Sequence, residues 1–97
     1  MISDQLLRIS TLALEFQCEG IKQKREGKFH SAKKYFALIL ALNEMQEFNE
    51  GIKIGKNLLI SLVENEEEYQ AFKDYGASRA NLFINPQEEM EYLKRKY

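Results

Sequence analysis

Two side chains of this 97-residue chain could serve as nucleophile, base or soft metal ligand, and each occurs once: Cys18 and His30. A zinc site of the usual residue types needs three or four such ligands, which one chain cannot supply. A nucleophile–His–acid triad would have to use His30. Its neighbour Ser31 is one residue away on a predicted helix, where adjacent side chains diverge. His30 therefore reads as a surface or turn residue. Cys18 reads as a small buried hydrophobe on an amphipathic helix rather than a reactive thiol. Carboxylates are plentiful, in Glu64, Glu66, Glu67 and Glu68 and again in Glu88, Glu89 and Glu91. Acid–base catalysis needs a carboxylate in a desolvated cleft. These lie in polar runs at predicted helix starts, where they complement the helix dipole. No Glu-x-x-His pair of the di-iron type occurs. The run from Gly51 to Asn57 has the outline of a phosphate loop, but it is one residue short between its glycines and lacks the Ser or Thr that would hold magnesium. Gly51 and Gly55 share a helix face, so they read as a site of close helix packing. No catalytic residue, metal site or cofactor is expected, and the chain is not expected to be an enzyme.

The elements that must position these residues are helices. Apolar residues make up 44% of the chain and charged residues 30%, which suits a folded domain. Five Gly and one Pro among many Leu, Ala, Glu, Lys and Gln favour helix over sheet. The length suits a single domain, residues 1–97. A net charge of −1 selects neither nucleic acid nor membrane as the main partner. The longest apolar run, Phe36 to Leu42, is far short of the ~20 residues a membrane span needs. One cysteine, and no basic, apolar leader at the start, point to a cytoplasmic protein.

Hydrophobic periodicity predicts a first helix over 4–26, capped by Ser3 and closed by Gly27. A second, over 30–42, is apolar all round and so belongs at the centre of the fold. Asn43 to Gln46 reads as a capping box that starts a third helix, 44–64, with Phe48, Ile52, Leu59 and Leu62 or Val63 inward. Asn65 to Glu68 repeats the signature before a fourth helix, which Gly76 interrupts or which continues to about Ile84. Asn85-Pro86 starts a fifth, 86–97. The fold class expected is all-α, four to five antiparallel helices joined by short links.

Residues 13–46 resemble one 34-residue tetratricopeptide repeat. Gly20 and Ala32 fall at the two small positions, Gly27 at the turn, Phe29 just before the second helix and Phe36 at the inner aromatic position. Ile39 stands where the pattern has alanine, Glu44 where it has proline and Gln23 where it has tyrosine. Residues 47–84 resemble a degenerate second hairpin, and 86–97 a terminal helix. The resemblance implies a short tetratricopeptide-like array that recognises proteins: a scaffold binding a peptide, a helix or a second copy of itself in a helical groove. It places Leu14, Gln17, Ile21, Lys24 and Arg25 on the groove, with Lys28 at its tip. Gln17 and Ile21 replace the lysine and asparagine of family members that clamp a C-terminal carboxylate, so no such clamp is implied. With fewer than three repeats, the ends need a cap or a homodimer partner.

Charge sharpens the choice of partner. Lys22, Lys24, Arg25, Lys28, Lys33 and Lys34 cluster around the first hairpin turn, offset by Glu26. They suit an acidic protein or peptide, or the acidic turn 64–68 of a second copy. The alternative is a nucleic-acid-associated regulator using the basic tip, 22–34. No aromatic-rich single-strand motif or recognition helix accompanies that tip, so a protein partner is preferred.

Overall fold

The computed structural model describes residues 4–80, with side chains from Leu7 onward. The described residues form four α-helices and no strand: α1 (Asp4–Arg25), α2 (Phe29–Met45), α3 (Asn49–Ile60) and α4 (Glu66–Ala80). The all-α class is as expected. The predicted Ser3 cap and the helix at 86–97 lie outside the described residues.

The fold follows from α2. Nine consecutive residues, Tyr35 to Asn43, are buried, so every face of the helix needs cover. Three helices supply it: the main interfaces are α1–α2, α2–α3 and α2–α4, while α3 and α4 scarcely touch each other. Phe36, Leu38 and Leu42 are fully buried. Burying each such side chain contributes roughly 1.5–3 kcal/mol. On the α1 side, Phe16 meets Tyr35 with ring centroids 5.6 Å apart, and Gly20 lets the Phe36 ring approach. On the α4 side, Gly76 lies against the backbone of Ala37: a Cβ there would come within 2.7 Å of the Ala37 carbonyl carbon. Gly76 therefore does not interrupt α4; it is where α4 touches α2.

Two helix ends are closed by the same device. Gly27, at φ +80°, follows α1. Its N–H donates to the Lys24 carbonyl at 3.1 Å, and the Lys28 N–H donates to the Gln23 carbonyl at 2.9 Å. This is a Schellman closure. At the end of α2 the Glu47 N–H donates to the Glu44 carbonyl and the Phe48 N–H to the Asn43 carbonyl, both at 3.1 Å. Here the left-handed residue is Glu47, at φ 55°.

That second closure corrects the sequence reading. Asn43 to Gln46 does not start a helix. Asn43 belongs to the last turn of α2, and its Nδ2 donates to the Ile39 carbonyl at 2.9 Å. The third helix starts at Asn49 and stops at Ile60, short of residue 64, as the Leu62 and Val63 N–H groups both turn back to the Leu59 carbonyl. Phe48 is not inward but half exposed, whereas Leu59 is buried as expected. The cap at Asn65 is present: the Glu68 N–H donates to Asn65 Oδ1 at 2.8 Å.

Two predictions follow from this geometry. Glu47→Gly relieves a left-handed non-glycine residue and is expected to raise stability by about 1 kcal/mol in chemical denaturation; an unchanged midpoint would show that the turn is not strained. Gly76→Ala drives a methyl into α2 and is expected to lose about 1–3 kcal/mol, although alanine is the better helix former. A gain would mean that α4 can move off α2.

Candidate binding groove

Helices α1 and α3 both pack on α2, and they leave a groove between them. Its pocket measures about 210 Å³. Ala13 of α1 and Ile39 of α2 line it as buried apolar residues. Leu14, Phe48 and Ile54 line it as well, yet are 65%, 50% and 46% exposed. Three large apolar side chains from three segments thus converge on one depression while remaining in solvent. Such convergence marks interaction sites more than scattered surface leucines do. Polar groups mark its edge: the Ser10 hydroxyl donates to Gln46 Oε1 at 3.4 Å, and Gln17 lies one turn beyond Leu14.

The α3 side is shallow because its contact residues are glycines. A Cβ at Gly55 would stand 3.1 Å from the Leu40 backbone, and one at Gly51 would collide with the Asn43 carboxamide oxygen. The run from Gly51 to Asn57 is therefore a helix-packing surface inside α3.

Of the residues placed on a groove from the sequence, Leu14 and Gln17 line this pocket. Ile21 is half-buried and packs against the core further along α1. Lys24, Arg25 and Lys28 are exposed at the hairpin tip, beyond the pocket. Arg25 falls on the stripe of Leu14, eleven residues on, or about 16 Å along the helix. Sequence reading missed Asn43, Gln46, Phe48 and Ile54. The misplaced start of the third helix hid them: with Phe48 assigned inward, no signal remained for a second wall.

The basic cluster is divided. Lys33 turns to α4, where its Nζ lies 2.9 Å from Glu68 Oε1 and 5.7 Å from the Phe72 ring centroid. Lys34 and Arg79 both lie 5.6 Å from the Tyr75 ring centroid. Lys28 pairs with Glu26 at 3.4 Å in solvent, an arrangement that contributes little. His30 is exposed, its ring edge-on to Phe72 with ring centroids 5.6 Å apart. Cys18 is exposed, not buried as expected. It follows Gln17 on the solvent side of α1, away from the Leu12, Ala13 and Phe16 face that meets the core. Among the described residues no group of three or more His, Cys, Asp or Glu could hold a metal ion, and no helix is long and apolar enough to cross a membrane.

Glu68 ties the α4 cap to α2. It accepts from Lys33 Nζ and from the Glu64 N–H at 3.2 Å. The Lys33 hydrogen bond, chiefly, holds its carboxyl below the usual glutamate range. A depressed carboxyl stabilises the fold above its unfolded pKa, and that contribution is lost as pH falls through the folded value. The window lies below about pH 4.3, the ordinary glutamate value. In a carboxyl-resolved NMR titration Glu68 should titrate below the ordinary glutamate range, and Lys33→Met should move it back up. A midpoint indifferent to Lys33→Met would remove the Lys33–Glu68 bond from solution.

No family model, curated protein or solved structure matches the chain.

Proposed function

We propose that this chain is a non-catalytic protein–protein interaction module that holds a peptide or helix in the groove between α1 and α3. The observation that carries the reading is the convergence of exposed Leu14, Phe48 and Ile54 on a depression with buried apolar lining. Anchors of this kind supply most of the affinity at an interface. The tetratricopeptide resemblance of residues 13–46 supports the same reading, since that family recognises partners on its first-helix faces. Exposed Lys24, Arg25 and Lys28 favour an acidic partner and raise its on-rate more than its final affinity. A cytoplasmic setting accords with the exposed thiol of Cys18, which stays reduced there.

The test uses Leu14→Asp, because Leu14 is mostly exposed and its substitution spares the core. Ile21→Asp is the poorer probe, since Ile21 packs against buried residues. A partner captured by the native chain should be lost by at least tenfold in Leu14→Asp, with helical circular dichroism unchanged. Its addition should shift the amide resonances of Gly51 and Ile54. Binding indifferent to Leu14 would sink the groove reading. Light scattering at low and high salt completes the test: a monomer leaves the groove open to a foreign partner. A dimer abolished by Leu14→Asp would put a second copy there instead.

A further inference from the structure

The groove is lined by one polar residue whose hydrogen-bonding capacity the fold leaves half-used. Asn43 is only 7% exposed and lines the pocket. Its Nδ2 donates to the Ile39 carbonyl at 2.9 Å. That bond fixes the orientation of the amide, because only the nitrogen can donate to a carbonyl. Oδ1 therefore points the other way, over Gly51, where the absence of a Cβ makes room for it. Among the described residues no group donates to this oxygen, and it is not sealed from solvent. An occupant that fills the groove strips water from it, which is costly unless the occupant brings a donor. The space around it is also informative. An apolar cavity of about 150 Å³ admits benzene, so a pocket of about 210 Å³ admits a phenol or an indole. Leu14, Ile39, Phe48 and Ile54 offer such a ring apolar contact, and Phe48 offers it an aromatic face or edge.

We propose that the groove takes a tyrosine or tryptophan side chain of the partner peptide, with its ring among Leu14, Ile39, Phe48 and Ile54 and its O–H or N–H donating to Asn43 Oδ1. The inference rests on the groove reading above and adds the identity of the anchor. Leucine or phenylalanine would fill the apolar part but leave the oxygen unmet. A site built around a hydrogen-bond acceptor discriminates against analogues that lack the donor.

The test needs no variant at first. The chain contains no tryptophan, so indole fluorescence reports only the probe. N-acetyl-tryptophanamide and N-acetyl-tyrosinamide are titrated into the 15N-labelled full chain, alongside N-acetyl-phenylalaninamide and the 1-methylindole analogue of the tryptophan probe. The first two should shift the amides of Gln46, Gly51 and Ile54 and the Asn43 side-chain amide. The two that lack a donor should bind about fivefold to tenfold more weakly, the worth of one hydrogen bond. In Asn43→Ala, which favours helix, the four should bind alike. Equal binding by all four to the native chain would overturn the anchor, as would shifts confined to other surfaces. If that happens while Leu14→Asp still abolishes partner binding, the anchor fails and the groove stands. If neither the probes nor Leu14 matters, both fail.

Discussion

Everything in this structure depends on the burial of α2. Its central stretch has no polar face, so it cannot lie on a surface; it can only be surrounded. Three helices meet that demand from different sides, and they meet it by contacting α2 more than one another. The fold is a hub with spokes rather than a stack of layers. Close approach at the spokes uses residues without bulk: Gly76 against Ala37, and Gly55 against the Leu40 backbone.

The same constraint produces the groove. Because α1 and α3 are each held to α2 and not to each other, the space between them is left to whatever side chains border it. Leu14, Phe48 and Ile54 remain in water at a cost that a partner can relieve. The polar chemistry follows a similar logic. Asn43 sits in the last turn of a helix that must be buried, and the fold satisfies its amide nitrogen locally. Its oxygen faces Gly51, where a Cβ would collide with it.

Much of this was legible in the sequence, and the failures are instructive. The run from Tyr35 to Leu42 announces a surrounded element, and its alanines favour helix over a buried strand. Gly27 announces the first turn because glycine is the usual left-handed residue, and Asn65 the fourth helix because its side chain caps. The turn at Glu47 was illegible for the converse reason: a glutamate carries no left-handed signal, so Asn43 to Gln46 looked like the nearest start. That one error moved the third helix, turned Phe48 inward and concealed half the groove. Leu14 and Gln17, which the resemblance placed on a groove, line this pocket from a helix whose C-terminal turn at Gly27 was legible. Ile21, placed on the groove by the resemblance, lies further along α1 and is half-buried against the core.

The scarcity of contact between α3 and α4 has a consequence for motion. A helix that touches the rest of the molecule through one neighbour can leave without disturbing the others. α3 is the shortest of the described helices, and two of its three buried residues are glycines, which leaves Leu59 as its one large fully buried side chain. It is therefore the natural first unit to open in the native state, exchanging its amide protons by a local route while α1, α2 and α4 stay folded. Opening of α2 has no such local route, since it releases all three spokes at once. The wall of the groove that carries Ile54 is thus expected to open more readily than the wall that carries Leu14, which belongs to the longest of the described helices.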